Sequence, residues 1–424
     1  MKKYQKMITI KKIKNFFSPF YKSKEIKEFF DLLEKDKPKD KQVAMFVGGC
    51  VRKFYSNEDI DDIDVATIFS PIEIKEKLKN SSFRIIDTGI EHGTLTVVKN
   101  NFKIEITTLR QDVETDGRHA KIKYTEDWIL DSERRDFTIN SIYLDIRGKI
   151  FDPQSGLSDL KNKVVKFIGN PERRIEEDYL RIIRFIRFSI QYNFDNIENK
   201  TIDAIKLNLN NIKKISKERV FSELLKILKL NNFNFLLSNK ELYEIFIKIF
   251  PELKYLERLE KLSYFPSTNY LKRDLNFILA ILLIDQSDNH EYFCFKYKTS
   301  NRIKGELLSI SKNYIRFKNE KNFLDRELKK NLYHLKKENL IKLLYLVFCS
   351  EEKFSLKLFS KKLEEISKIS IPNFPYDGQF LIQQGLIDGN KIGTALNEIK
   401  KTWVNNNFYL EKEEAFSIVA KFKN

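Results

Sequence analysis

Cysteine is scarce in this chain. Cys50, Cys294 and Cys349 are the only three among 424 residues, odd in number and far apart. That pattern excludes a disulfide framework and a CxxC metal site, and it implies a reducing compartment. Long apolar runs are missing as well. The longest, FILAILLI at Phe277–Ile284, has eight residues, against roughly 20 needed to cross a bilayer, so no membrane span is expected. The opening MKKYQKMITIKKIKNFF is basic but has neither the apolar core of a signal peptide nor the Ser and Arg richness of a transit peptide, which makes the cytoplasm the expected location. Glycine stops between Pro171 and Lys304, and a stretch so poor in turn formers reads as helical.

Acidic residues are outnumbered. Lys and Arg total 77 against 60 Asp and Glu, a formal net charge of +17 spread along the chain, so a polyanion is the first partner to consider. Charge alone leaves nucleic acid and membrane surface both open. Hydrophobic residues at 42% and aromatics at 13% argue for a folded chain, and its length suits two to four domains.

From about Val43 to Asp152, short runs such as VAMFVGG, IDVATIF, GTLTVVKN, FKIEITTLR and SIYLDIRGKIFD carry β-branched residues between turns, which predicts a mixed α/β region. Beyond it, EDYLRIIRFIRF, KERVFSELLKIL and LYEIFIKIFPELKYLERL show apolar residues at helical spacing. Asn, Ser and Pro clusters near Asn231–Asn239 and Pro266–Asn269 read as helix connections.

Against the positive balance, NEDIDDID at Asn57–Asp64 gathers five carboxylates in eight residues. Residues two apart on a strand share a face, so Asp62 and Asp64 project together while Ile63 and Val65 turn to the core. Two such carboxylates repel unless a cation lies between them, and Mg²⁺ favours one or two carboxylates plus substrate phosphates. For a bare DxD an acidic turn entering a strand is the commoner explanation, so context has to decide. Upstream, FVGGCVR puts Gly48 and Gly49 after a strand-like run and before Arg52, a turn whose N–H groups can approach phosphate oxygens.

The order GGCVR at 48–52, DDIDVAT at 61–67, ERRDFTINS at 133–141 and EEDYLRIIRFIRF at 176–188 resembles the polymerase-β-like nucleotidyltransferases, and within them the class II tRNA nucleotidyltransferases, or CCA-adding enzymes, with the bacterial poly(A) polymerases as close relatives. The resemblance implies an α+β fold: a head with a mixed sheet and helices at 25–152, then an all-helical neck (153–228), body (229–345) and tail (346–424). It implies two Mg²⁺ ions on Asp62 and Asp64 that bind the triphosphate and activate an RNA 3′-hydroxyl for in-line attack, with Glu105 of KIEITTLR as a third catalytic carboxylate or, on its residues alone, a solvent-facing strand glutamate.

The same resemblance gives nucleotide binding to Gly48, Gly49 and Arg52, with Arg134 and Arg135 on the triphosphate and Asp136 with Asn140 on the sugar. Composition alone allows RRDFTINS to be a salt-bridged helix cap. Asp178, Arg181, Arg184 and Arg187 fall three residues apart, which predicts one winding helical row. The family uses this motif to read the incoming CTP or ATP, so Asp178 and Arg181 are expected at the base, while Arg184 and Arg187 support the pocket or meet phosphate. An ion-paired amphipathic helix has the same pattern.

TGIEHGTLTVV resembles CCA-adding enzymes, and the G(R/K)(R/K)F pattern of bacterial poly(A) polymerases is missing. His92 within it reads as structural. The polar run Arg110–Trp128 resembles the flexible loop needed to pass from C to A addition, so complete CCA addition is expected, with poly(A) synthesis and CC addition as alternatives. Where the family usually has GGxVRD, this chain has Lys53. SKERVFSELLKIL resembles the neck. The helical half is expected to bind the acceptor and T arms of tRNA through shape and phosphate, with CTP and ATP as substrates and neither DNA nor membrane as partner. Gly378, Gly385, Gly389 and Gly393 precede a helix with Lys400 and Lys401, whose start suits a phosphate or simple packing.

Overall fold

The computed structural model describes residues 19–38, 41–100, 102–115, 120–230, 232–262, 264–265 and 274–423. The basic opening segment, the tip of the Arg110–Trp128 run at 116–119, Asn231 and the Pro266–Asn269 connection lie outside the described residues. Two compact units are present, Met1–Ile249 and Phe250–Asn424.

The first unit holds the sheet. Its described elements begin with α1 (Lys24–Glu34), β1 (Ala44–Val47), α2 (Gly49–Tyr55), β2 (Asp64–Thr67), α3 (Pro71–Leu78), β3 (Arg84–Gly89), β4 (Thr94–Lys99) and β5 (Phe102–Thr108). Then come β6 (Arg110–Thr115), β7 (Ala120–Tyr124), α4 (Trp128–Glu133), β8 (Tyr143–Leu144), β9 (Ile150–Phe151) and α5 (Gly156–Lys161). Seven strands run in the order β3-β4-β5-β2-β1-β8-β9, and β6 pairs with β7 apart from them. Among the described residues only the β2–β5 pairing is parallel; it sets Asp64 beside Glu105 and Val65 beside Ile106.

Alternation along these strands sorts the two faces. Val65, Ile104 and Ile106 join Phe46 in a core covered by Ile26, Phe29, Phe30 and Leu33 of α1, an apolar stripe at helical spacing. Met45, Val47, Ala66, Leu109 and Tyr143 form a smaller cluster on the face that Asp64 and Glu105 share, since strand neighbours two apart project together. Asp64 and Glu105 share one face of the sheet as expected, but Asp62 precedes β2 in an irregular segment and does not take part in the strand's alternation. A capping box between Ser70 and Glu73, with Pro71 following, starts α3.

Helices α6 (Pro171–Glu177), α7 (Leu180–Tyr192), α8 (Asn199–Asn208), α9 (Lys217–Leu228), α10 (Phe233–Ser238) and α11 (Lys240–Ile249) complete the unit. Here the structure corrects the sequence reading: Asp178 and Arg181 do not share one continuous helix. Asp178 is extended (φ −156°, ψ 103°), and its Oδ1 accepts the Leu180 N–H at 3.1 Å. A short polar side chain that competes for backbone donors ends one helix and starts the next. Arg181, Arg184 and Arg187 remain together on α7.

The described secondary-structure elements of the second unit are all helices. FILAILLI lies within a buried helix, Leu275–Leu283, and its end; no helix among the described residues is long and apolar enough to cross a membrane. The helix Gly389–Asn405 begins with Asp388, whose side chain accepts the Asn390 N–H at 2.9 Å. A carboxylate therefore already occupies the helix start that the sequence offered to phosphate, while Lys400 lies over the Tyr333 and Phe374 rings.

Candidate active site

Gly48 closes β1 at φ +73°, ψ −126°, a conformation open to glycine and strained for other residues. This bend lets α2 start directly beneath β2: a Cβ on Gly48 would stand 3.9 Å from Asp64 Oδ2 and 3.8 Å from Arg135 Nη1. Gly48, Gly49, Arg52, Asp62, Asp64, Arg135, Asp136, Asn140, Arg184 and Arg187 all line one cleft of about 660 Å³. Lys53, Asp61, Phe188, Gln191, Lys226 and Lys229 line it too.

Asp64 lies half-buried at the start of β2. Burial and the adjacent Glu105 carboxylate, reinforced by Asp62 and partly offset by Arg135 and Arg52, push its carboxyl up to about 6. Asp62 is exposed, and among the described residues its carboxylate has no hydrogen-bond or ion-pair partner. Glu105 is held by Lys103 at 2.8 Å. Among the described residues no three Asp, Glu, His or Cys side chains converge to hold a metal by themselves. Two neighbouring carboxylates, one destabilised by charge, match the donor set of a hard divalent ion that takes its other ligands from substrate phosphates and water.

The RRD segment is braced from behind. Asp131 is fully buried and binds both arginines, Arg134 at 2.7 Å and Arg135 at 2.9 Å, with the Tyr143 hydroxyl donating at 2.7 Å. Burial alone would raise the Asp131 carboxyl, but Arg135 and Arg134 outweigh it and hold it well below the usual range. Arg135 faces the cleft, whereas Arg134 lines a neighbouring hollow with Arg173, Arg174 and Glu177. The structure thus separates the two expected triphosphate arginines.

Asp136 is held by Arg184 at 2.8 Å through Nε and by the Asn140 amide at 2.8 Å. Burial raises its carboxyl, yet Arg184 and Asn140 bring it down to about 2. Asn140 also accepts from Arg52, whose Nε donates to the Tyr192 hydroxyl at 2.8 Å. Arg187 donates to Glu223 of α9 at 2.8 Å, and its guanidinium lies 4.1 Å from the Phe188 ring centre. These partners fix the arginines in place on the cleft wall.

Asp178 and Arg181 do not line this cleft. Asp178 pairs with Arg219 of α9 at 2.7 Å, and Arg181 with Glu177 at 2.7 Å and the Arg174 carbonyl. His92 is half-buried beside Glu91 and sits at the turn before β4, outside the lining of the cleft. Sequence reasoning missed Asp131, Tyr192, Arg219 and Glu223. Asp131 carried a signal, because it precedes Arg134 and Arg135 at helical spacing; the partners from α9 carried none.

A family model described as "Poly A polymerase head domain" matches residues 44–166, and one described as "Probable RNA and SrmB- binding site of polymerase A" matches 195–256. Across nearly the whole length the relatives are more specific. The chain is 32% identical to the human CCA tRNA nucleotidyltransferase 1, mitochondrial, covering 90% of this chain and 88% of the relative. It is 31% identical to its zebrafish counterpart over 88% and 86%.

This chain belongs to the CCA-adding tRNA nucleotidyltransferases.

A CCA-adding enzyme of Lactobacillus helveticus is 30% identical to it, covering 84% of this chain and 88% of the relative. The fold of a CCA-adding enzyme is shared in space as well. A Bacillus stearothermophilus CCA-adding enzyme, solved with CTP, superposes with a TM-score of 0.70 at 22% identity over 94% of this chain and 98% of that one. The Thermotoga maritima enzyme, solved with tRNA, gives 0.64 at 21% over 95% and 97%. The α+β head and helical remainder expected from the sequence are therefore those of a nucleotidyltransferase, a family that generally uses a divalent metal.

Proposed function

We propose that this enzyme adds C, C and A to tRNA 3′ ends from CTP and ATP, with Mg²⁺ held by Asp62 and Asp64. The observation that carries the reading is the meeting of these carboxylates with the Gly48–Gly49 turn and Arg135 in one cleft. When bound, such an ion acidifies the attacking 3′-hydroxyl and neutralises charge on the transferred phosphoryl group. The chain's own groups supply the remainder. Gly48 brings backbone close to the phosphates, Arg135 meets them with its guanidinium braced by Asp131, and Arg184 and Arg187 add positive charge along the wall. Asp136 and Asn140 orient Arg184 and Arg52 and sit where a ribose hydroxyl can join their network. Glu105 sustains the negative field at Asp64.

Base choice is proposed for Asp178 and Arg181, which stand at the α6–α7 junction outside the lining of the phosphate cleft and would exchange Arg219 and Glu177 for the base edge. One bidentate contact discriminates by about 1–3 kcal/mol, so both residues are needed to refuse UTP and GTP. The paired strands β6 and β7, within the run that composition marked as a loop, are proposed to permit the step from C to A. The division into head (25–152), neck (153–228), body (229–345) and tail (346–424) is proposed with it, the helical parts receiving the acceptor and T arms. Three free, buried cysteines support a reducing location, and the cytoplasm is the proposed one.

The test supplies CTP, ATP, UTP or GTP to tRNAs ending before CCA, after C and after CC, with products resolved to one nucleotide. Addition that stops at CCA is expected. A product ending at CC would remove the proposed role of β6 and β7, and unbounded A tails would make the chain a poly(A) polymerase.

A further inference from the structure

We propose that Lys53 and Asp61 form a clamp that sets the position and the charge environment of Asp62. The inference rests on the metal-binding reading of the cleft. Residues 57–63 carry no helix or strand, yet they must deliver Asp62 to the cleft. The segment is pinned at Glu58, whose carboxylate accepts from Gln191 at 2.8 Å and whose N–H bonds the Lys53 carbonyl at 2.9 Å. It is pinned again at Ile63, whose carbonyl accepts the Glu105 N–H at 2.9 Å. Between these points the Lys53–Asp61 ion pair anchors the segment on the cleft side, Ile60 packs against the core, and Asp61 Oδ1 also accepts the Asp62 N–H at 3.1 Å. Lysine, carboxylate and backbone thus run in series into the residue that must face the ion.

The pair also settles a conflict of charge. Lys53 is 20% exposed and Asp61 70%, so the lysine is the more enclosed member, and it lines the same cleft as Asp62 and Asp64. A free ammonium there would compete with a divalent cation for those carboxylates. Asp61 keeps it engaged. The lysine at this position is thereby compatible with a metal site, provided Asp61 accompanies it.

An asymmetry follows that a generic surface ion pair would not produce. Asp61→Ala releases Lys53 toward Asp62, whereas Lys53→Ala removes only the tether. The full-length protein would be titrated with Mn²⁺, followed by water-proton relaxation, and kcat and KM for CTP would be measured alongside. Asp61→Ala is expected to weaken Mn²⁺ binding roughly tenfold, between the few-fold effect of an exposed pair and the roughly hundredfold cost of a misplaced catalytic group. KM for CTP should stay within about twofold, because the phosphate-facing arginines are untouched. Lys53→Ala should cost less, and the double variant Lys53→Ala/Asp61→Ala should bind Mn²⁺ better than Asp61→Ala alone. A raised KM for CTP in Lys53→Ala with unchanged Mn²⁺ binding would overturn the proposal and make Lys53 a phosphate contact; equal Mn²⁺ affinity in all three would also overturn it. Asp62→Ala separates the two levels. If it loses Mn²⁺ while the clamp variants do not, only the clamp fails; if it binds Mn²⁺ like the wild type, the metal reading fails and the clamp with it.

Discussion

Asp64 and Glu105 stand directly opposite one another on the parallel strand pair β2–β5. Two carboxylates set side by side keep a proton on one of them or recruit a cation, and burial with Glu105 pushes Asp64 up to about 6. An acid whose folded-state pKa is raised contributes stability below its ordinary value of 3.8, and that contribution is lost as pH rises through about 6. Divalent metal should therefore raise the melting temperature more at pH 7.5 than at pH 5. Glu105→Gln should lower the pH at which this metal-dependent gain sets in, measured by thermal melts with and without Mg²⁺. An unchanged onset would remove Glu105 from the site's electrostatics.

Asp136 shows the opposite sign. Arg184 and Asn140 hold it at about 2 despite burial, so its stabilisation is present above 3.8 and lost as pH falls through about 2. Arg184→Ala should cost roughly 1–3 kcal/mol at pH 7, the buried-pair figure reduced for an arginine that is partly exposed. Urea unfolding at pH 7 and pH 3 checks this: the difference between wild type and variant should shrink at the lower pH.

Gly156 supports the RRDFTIN segment by close approach. A Cβ there would fall 2.1 Å from the Thr138 carbonyl oxygen, and Thr138 is tied to Asp159 at 2.6 Å. Gly156→Ala should destabilise by about 2–3 kcal/mol, as backbone must move. It should also lower kcat by displacing Asp136 and Asn140. A variant as stable as wild type would show that the turn yields freely.

How much of this was readable beforehand depended on sequence distance. Asp64 and the core position of Val65 were legible because strand alternation needs only neighbours, whereas Asp62 stands before the strand begins. The break at Asp178 was not, since the three-residue spacing runs unchanged through a residue whose side chain ends the helix. Glu223 lies 36 residues beyond Arg187, and no local pattern announces that pairing. Lys53 was visible as a departure, but its partner Asp61 read as one more acid in a crowded run.

Asp178 and Arg219 carry a prediction about fidelity. Asp178→Ala should raise misincorporation of UTP or GTP roughly ten- to a hundredfold, the value of one lost base contact, while CTP addition continues. Arg219→Ala should raise it less, since it loosens Asp178 without removing it. Single-turnover incorporation with each nucleotide gives both numbers; an unaltered nucleotide preference in Asp178→Ala would place base reading elsewhere.

The most direct test of the central claim compares wild type and Asp64→Ala on a tRNA ending before CCA, supplied with CTP, ATP and Mg²⁺, with folding verified by circular dichroism. Wild type should complete CCA and stop, while the variant, equally folded, should be slower by roughly a thousandfold or more, the several kcal/mol that an ion-assisted phosphoryl transfer loses with its carboxylate. CCA addition by Asp64→Ala at near wild-type rate would contradict the assignment of the reaction to this cleft.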